Sequence, residues 1–468
     1  MTDIDRTPIP RSDHWLPLET VPIFGEGRSF IGGDVEGDRF AVRYFQRRGR
    51  TILGAQVRFG PGTEGGPTLV HGGAISSVLE ELLGRTAFLA GQVAVTANLS
   101  VNYRKPVPLN ARTKALAWVR HVERRKVHVA GRLMAMDGTL LADAEGLFVR
   151  VAEESPVGRP RDLAARFASY FAVEPVQPVS REPRVRMFEG AAGNRLVADT
   201  WGNPNWPPVL FLHGGGQTRH SWGGAAYNLA QHGWYTLSLD QRGHGDSDWT
   251  REDGYRTDTY KADLNAVLRD LNEPPALVGA SLGGITSLVT VGEATLPERT
   301  ARALVLVDVT PRLETVGVDR IVGFMESTVD GFDSIEAAGD AVAAYRRHRS
   351  RPKDLSGLRK NLRLRDDGRY YWHWDPQMLT MAHESGYTTE ERLRAAARRV
   401  NIPTLLVRGG SSDVVSEQGV KQFLEDVPDA KYVDVSGAGH MVAGDRNDVF
   451  TESVMDFLEA TFQSGGTR

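Results

Sequence analysis

Residues 279–284 read Gly-Ala-Ser-Leu-Gly-Gly and follow the apolar run Ala276, Leu277, Val278. A strand ending in G-x-S-x-G has to turn sharply into a helix, and the flanking glycines leave room for a serine in a strained backbone conformation with its hydroxyl exposed. Ser281 is therefore the candidate nucleophile. The chain has no cysteine, which excludes disulfides, thiolate–zinc sites and cysteine nucleophiles and leaves serine, threonine or a carboxylate to attack. A serine nucleophile needs an imidazole to take its proton and a carboxylate to fix the tautomer and stabilise the imidazolium. After the strand-like run 404–407 comes Arg-Gly-Gly-Ser-Ser-Asp, ending at Asp413, and after the run 431–435 comes Ser-Gly-Ala-Gly-His, ending at His440. Asp413 and His440 fill the two roles in the chain order serine, acid, histidine.

A developing oxyanion needs preorganised donors. After the run 209–212 come His213, Gly214, Gly215 and Gly216, followed by Ser221 and Trp222. A glycine-rich turn there can present a backbone N–H, and the N–H of Leu282, next after the nucleophile, supplies a second donor. All four constellations fall at the carboxyl ends of strand-like runs, where open parallel sheets place ligands.

A second stretch also carries chemistry. Val70, His71, Gly72, Gly73, Ala74, Ile75 opens a long helical pattern, and Glu80 follows nine residues after His71. A helix N-terminus offers unsatisfied N–H groups and positive dipole potential, and glycines there let a carbonyl oxygen come close, so the Gly72 N–H is the candidate polarising donor. Glu80 lies about two turns further on and does not easily reach that spot within one chain. Across a dimer it can.

The elements that must position these residues divide the chain near its first third. With 468 residues and roughly 150 per domain, two or three units are expected, and two fit best. Up to about residue 152 alternating strands dominate (40–44, 53–59, 95–103, 113–122, 127–136, 140–151) around one helical stretch at 72–90, and Asp137-Gly138 signals a two-residue hairpin. Residues 153–185 turn to prolines and charges around a short helical stretch near 163–171, the texture of a linker. Beyond it, strand-like runs at 209–212, 235–239, 276–278, 303–307, 404–407 and 431–435 alternate with helical patterns, as in a parallel sheet with crossover helices on both faces. The interruption at about 311–399 reads as a cap over the sheet's carboxyl edge.

With these motifs in place, residues 186–465 resemble the α/β-hydrolase family, as does the segment Asp240-Gln-Arg-Gly-His-Gly-Asp-Ser247. The resemblance implies Ser281 as nucleophile, His440 as base, Asp413 as acid, and Gly215 and Leu282 as oxyanion donors. Asp308, after the run 303–307, stands at a strand end that some members of the fold use for the acid instead. Serine at the elbow sets the chain apart from the epoxide hydrolases and haloalkane dehalogenases of this fold, which use aspartate there. It predicts acyl chemistry on an ester, lactone or thioester, or cleavage of a carbon–carbon bond beside a ketone. The cap segment Tyr370, Tyr371, Trp372, His373, Trp374 is expected to line an acyl pocket or to form core.

Residues 28–152 resemble the hotdog-fold acyl-CoA thioesterases, in which an antiparallel sheet wraps a long helix. The match rests on His71-Gly72-Gly73, on the acid nine residues later, and on the strand from Thr96 through Tyr103 to Pro106. The resemblance implies Glu80 as base or nucleophile, Gly72 as carbonyl donor from the other subunit, and Thr96 as the hydroxyl that orients water. Some members carry an amide side chain six residues before the histidine, where this chain has Gly65. Arg104, Lys105, Arg124, Arg125 and Lys126 are candidates for coenzyme A phosphates or for a solvated edge.

The expectation is thus an α+β hotdog domain (28–152), a linker (153–185) and an α/β-hydrolase domain (186–465) with an inserted cap. Its substrate would be a small acyl ester or acyl-CoA thioester, and its assembly a homodimer or higher homo-oligomer through the hotdog domain. No cofactor or metal is called for. Alternatives are a carboxylesterase, lactonase or carbon–carbon hydrolase whose hotdog domain only dimerises and binds acyl groups, hydratase chemistry in the first domain, and a non-catalytic ligand sensor. A formal charge of -3 gives no reason to expect nucleic-acid binding, and no run of 18 apolar residues occurs. The opening Met-Thr-Asp-Ile-Asp-Arg lacks the basic-then-apolar pattern of a leader, so a cytoplasmic location is expected.

Overall fold

A computed structural model of the chain describes residues 15–18, 30–31, 38–47, 52–151, 179–250, 254–345, 355–380, 388–436, 438–440 and 447–464. The chain forms two compact units, Met1–Pro178 and Val179–Arg468. The helix expected near 163–171 and most of the expected linker lie outside the described residues.

In the first unit the strands are β1 (Trp15–Leu18), β2 (Phe40–Arg47), β3 (Ile52–Phe59), the short pair β4 (Glu64–Gly66) and β5 (Leu69–Val70), then, after helix α1 (Gly72–Leu89), β6 (Ala94–Tyr103), β7 (Arg112–Glu123), β8 (Lys126–Ala135) and β9 (Leu140–Arg150). Seven of them make one antiparallel sheet in the order β1-β2-β3-β7-β8-β9-β6. The sheet holds α1 against one face. Ile75, Val78, Leu79, Leu82 and Leu83 recur at helical spacing and are all buried, in one cluster with Val57, Ala117, Val129, Ala144 and Phe148. Fully burying each such side chain contributes about 1.5–3 kcal/mol. Two glycines let the helix lie this close: a Cβ at Gly131 would stand 2.5 Å from Leu83 Cδ1, and one at Gly146 3.0 Å from Leu83 Cδ2. The Asp137-Gly138 turn closes β8 on β9, with Gly138 at φ 92° and Asp137 Oδ1 accepting the Thr139 N–H.

The second unit carries β10 (Arg184–Glu189), β11 (Arg195–Trp201), β12 (Pro208–Leu212), α2 (Gly223–Gln231), β13 (Tyr235–Asp240), α3 (Thr257–Arg269), β14 (Ala276–Ala280), α4 (Leu282–Gly292) and β15 (Ala303–Val307). After these come α5 (Thr315–Ser327), α6 (Ile335–Tyr345), the hairpin β16 (Leu362–Leu364) and β17 (Tyr370–Trp372), α7 (Glu390–Ala397), β18 (Thr404–Gly409), α8 (Glu417–Asp426), β19 (Lys431–Val435) and α9 (Asn447–Ser464). The sheet order is β10-β11-β13-β12-β14-β15-β18-β19, parallel from β13 onward and antiparallel at its β10–β11 end. Side chains alternate between its faces. Leu210, Leu212, Leu277, Leu304 and Leu406 join α3, α4, α7 and α8, whereas Val209, Phe211, Val278, Val305 and Val407 join α2 and α9.

The six expected parallel strands are present, and two strands are added. β10 (Arg184–Glu189) straddles the boundary drawn at residue 185 between linker and domain, and it pairs with β11. The cap is also shorter than expected. Leu393, Ala396 and Ala397 of α7 belong to the sheet's own core, and a Cβ on Gly292 of α4 would collide with the carbonyl oxygen of Ala396. α7 therefore covers the sheet beside α4, and the segment above the sheet consists of α5, α6 and the β16–β17 hairpin. Among the described residues no helix is long and apolar enough to cross a membrane.

The backbone contact between α4 and α7 leads to a test. Gly292→Ala should destabilise the second unit by about 1–3 kcal/mol through overpacking, read as a lowered urea midpoint. An unchanged midpoint would place α7 away from α4.

Candidate active sites

The chain runs from β12 outward to β13 and returns to β14 on the other side of β12. The crevice outside β12 and β14 is therefore the sheet's switch point, where open α/β folds bind ligands. Ser281 sits there as the N-cap of α4 with φ 47° and ψ −115°, a region sparsely populated by side-chain-bearing residues and tolerated only where the surroundings enforce it. The glycines of the motif do the enforcing. A Cβ on Gly279 would collide with the Gly283 carbonyl, and one on Gly283 with the Leu212 carbonyl, while the Gly283 N–H donates to the His213 oxygen at 3.1 Å. The elbow is thus packed backbone to backbone on the β12 turn.

That turn carries Gly215, the candidate donor. The Gly214 N–H is used by Gln217 Oε1 (3.2 Å) and the Gly216 N–H by His244 Nε2 (3.2 Å). Among the described residues the Gly215 N–H has no hydrogen-bond acceptor, and a Cβ on Gly215 would meet nothing within 4 Å. Leu282 is the first helical residue of α4, so its N–H has no carbonyl of its own helix to bond. It is buried with Tyr255, Tyr260 and Met378.

Two buried histidines that the sequence reading passed over shape this turn. His213 Nδ1 donates to the Gly214 oxygen and its Nε2 accepts the Gln241 N–H; His244 Nδ1 donates to the Arg242 oxygen and its Nε2 accepts from Gly216. Both rings are neutral: burial holds His213 down at about 4 and His244 at about 3. The loop carrying His244 is tied down by Asp240, which accepts the backbone N–H groups of Arg219 and Asp246 and a guanidinium bond from Arg219.

The acid expected at His440 is a correction. His440 Nδ1 donates to Asp308 Oδ2 at 2.7 Å, and Asp308 is completely buried. Asp413 instead pairs with Arg320 of α5 at 2.8 Å and is partly exposed. The physical reason is strand register. Ala280 of β14 pairs with Val307 of β15, so Ser281 and Asp308 follow side by side at adjacent strand ends, and the Ser281 N–H donates to Val307. Asp413 stands four residues past the end of β18, on the outer side of a loop that turns its Ser412 inward. Asp308 has φ 49°, so both residues at these strand ends occupy the left-handed half of backbone space.

Of the cap's aromatic stretch only Trp374 is buried, and the other four residues are half-buried. Trp374 is buried with Met325 and Leu379, and Trp372 packs edge-on to Phe332 at 5.4 Å and donates to Thr328 Oγ1. Tyr371 donates to Asp367, the Tyr370 backbone bonds to Phe332, and His373 contacts Arg363. Met325 of the cap reaches the glycine turn after β12, its methyl 3.2 Å from where a Cβ on Gly216 would stand.

In the first unit His71 caps α1, its Nδ1 accepting the Gly73 N–H at 2.9 Å. Glu80 Oε1 accepts from Thr96 Oγ1 at 2.5 Å, and the register of β6 shifts between Thr96 and Asn98. A bulge of this kind re-aims a side chain. The neighbouring acid has a different role: Glu81 bonds to Tyr44 and Arg85, and burial followed by the Glu81 charge pushes the Tyr44 phenol up. Gly72 and Glu80 are eight residues apart on one helix, about 12 Å, so one α1 does not bring them to a single carbonyl. A Cβ on Gly65 would stand 2.6 Å from His71 Cα, which explains why no amide side chain stands there. Arg104 is bound to Asp143, Arg125 to the Arg150 oxygen, and Arg124 forms the β7–β8 turn at φ 51°.

The chain belongs to the α/β-hydrolase fold family, whose model matches residues 207–446. It also carries a segment of the thioesterase superfamily at residues 68–142, and it is a hydrolase of the ester and thioester class. It is 32% identical over 286 residues to the esterase Rv0045c of Mycobacterium tuberculosis, covering 59% of this chain and 90% of that protein. Its first unit is 34% identical over 131 residues to acyl-coenzyme A thioesterase THEM4 of Mus musculus, which is 28% of this chain and 55% of that protein. Among solved structures, E-2-(acetamidomethylene)succinate hydrolase aligns with a TM-score of 0.53 at 26% identity, over 59% of this chain and 99% of the other.

The neutral histidines make stability depend on pH. Their folded values, about 4 and about 3, lie below the unfolded value near 6.5, so below pH 6.5 the unfolded chain binds protons that the folded one refuses. The stability is complete above pH 6.5 and declines as pH falls toward 4, each ring adding a slope of up to about 1.4 kcal/mol per pH unit. Urea midpoints measured from pH 7 to pH 4.5 should fall more steeply for the parent than for His244→Gln. Parallel curves would contradict a buried neutral His244.

Proposed function

We propose that the chain carries two acyl-hydrolase sites of different chemistry. In the second unit Ser281 attacks an ester or thioester carbonyl while His440 takes its proton through Nε2. Asp308 holds the Nδ1–H and stabilises the imidazolium, and the N–H groups of Gly215 and Leu282 receive the oxyanion. The leaving group departs with the proton from His440, and water activated by the same imidazole releases the acyl group from Ser281. The observation carrying this reading is the His440–Asp308 hydrogen bond, formed at the strand end beside the strained Ser281.

In the first unit Glu80 acts as base or nucleophile on an acyl-CoA thioester and Thr96 orients the water. The Gly72 N–H of the partner subunit polarises the carbonyl, which makes a homodimer the working form. Support comes from the Glu80–Thr96 bond, from the separation of Gly72 and Glu80 along one helix, and from β6. That strand is an edge of the sheet bonded to β9, with Val95 and Tyr103 exposed. Similarity to an acyl-coenzyme A thioesterase in this unit and to an esterase in the other is consistent with the pairing.

Variants separate the roles. Ser281→Ala should reduce turnover of a short p-nitrophenyl ester at least about a hundredfold, and Asp308→Asn should cost on the order of 10⁴ in kcat, while Asp413→Asn keeps activity within a few-fold of the parent. Full activity in Asp308→Asn with loss in Asp413→Asn would reverse the assignment of the acid. For the first unit, Glu80→Gln in a Ser281→Ala background should abolish the remaining acyl-CoA hydrolysis, followed as thiol release. Unaltered thiol release would remove Glu80 from the chemistry.

A further inference from the structure

The carboxylate of Asp308 holds more than the imidazole. Its Oδ1 accepts the Gly409 N–H at 3.0 Å, and its Oδ2, the oxygen that binds His440, also accepts from Ser412 Oγ at 2.6 Å. The direction of that hydroxyl is fixed by its other partners. Ser412 Oγ accepts the N–H groups of Val414 and Val415, both at 3.2 Å. A serine hydroxyl has two acceptor positions and one proton, so with both positions occupied the proton goes to Asp308. The loop is clamped from its other side too, since the next residue, Asp413, pairs with Arg320 of α5.

We propose that Ser412 is a positioning residue of the hydrolase site: its hydroxyl proton, shared onto the oxygen that holds His440, sets the orientation and basicity of the imidazole. The inference rests on Asp308 being the triad acid. Among the described residues no lysine or arginine contacts Asp308, so its buried charge is spread over an amide, a hydroxyl and the imidazole. Each donor to a carboxylate stabilises its charge and weakens its pull on the others. Without the Ser412 proton, Asp308 draws harder on the Nδ1–H, and the imidazolium is stabilised and becomes harder to deprotonate. The carboxylate also gains freedom to rotate about its one remaining backbone donor.

The experiment is the pH profile of kcat/KM for a short p-nitrophenyl ester in the full chain. Ser412→Ala should move the acid limb up by about half a pH unit and lower kcat by on the order of tenfold, and Ser412→Thr, which keeps the hydroxyl, should restore both. Asp413→Asn, one residue away on the same loop, should leave the limb in place. If the alanine variant fails to fold, Ser412→Cys, a weak donor of similar size, should shift the limb in the same direction. An unmoved limb in a Ser412 variant that melts like the parent overturns the proposal while leaving the triad intact. Parent-like turnover in Asp308→Asn, run in parallel, instead overturns the triad assignment and this inference with it.

Discussion

A fully buried carboxylate is costly unless its charge is met by hydrogen bonds, and the hydrolase unit is arranged around meeting that of Asp308. Its donors come from two segments that both lie far from it in sequence: Gly409 at the end of β18 with Ser412 just beyond it, and His440 after β19. Because β14, β15, β18 and β19 are neighbours in one parallel sheet, satisfying this charge draws together the loops that also carry Ser281 and the imidazole. The strained backbone at Ser281 and Asp308 is sustained by the same packing. Neither conformation is favoured locally, and each is held by contacts to a neighbouring strand end.

The glycine turn after β12 is built on a different principle. There the buried polar groups are neutral imidazoles, and each ring spans two backbone segments through one donor and one acceptor. His213 ties the β12 turn to the residue after β13, and His244 ties the loop after β13 back to Gly216. Gln217 and His244 take the amides on either side, and among the described residues that of Gly215 has no acceptor. The first unit instead separates its two acids by their neighbours. Glu81 is absorbed by Arg85 and Tyr44, while Glu80 meets a hydroxyl delivered by a β-bulge.

Ser281, the glycine turn and His440 were legible because the constraints on them are local: an elbow packed backbone to backbone must be written in glycines, wherever its partners lie. Helix α1 and the strands around it announced themselves by period, and the Asp137-Gly138 hairpin by turn chemistry. Asp413 misled because a glycine-serine loop ending in aspartate looks like a ligand loop, and what removes it from the site, Arg320 of α5, lies 93 residues away. Asp308 carried a weaker local signal, its place directly after β15. The sequence reading missed β10 because Pro183, Arg184 and Arg186 give an edge strand at the domain boundary a polar, proline-marked texture, and it placed α7 in the cap because only the contact with Gly292 reveals which layer it covers. The buried histidines were hidden in motifs read for their glycines.

The central claim is that Asp308, and no other carboxylate, holds the Nδ1 proton of His440. Proton NMR at low field tests it most directly, since an Nδ1–H bonded to a buried carboxylate resonates far from the amide envelope. The account predicts such a resonance in the parent, its persistence in Asp413→Asn and its loss in Asp308→Asn. A resonance that survives the change at Asp308 and vanishes with the change at Asp413 would contradict it.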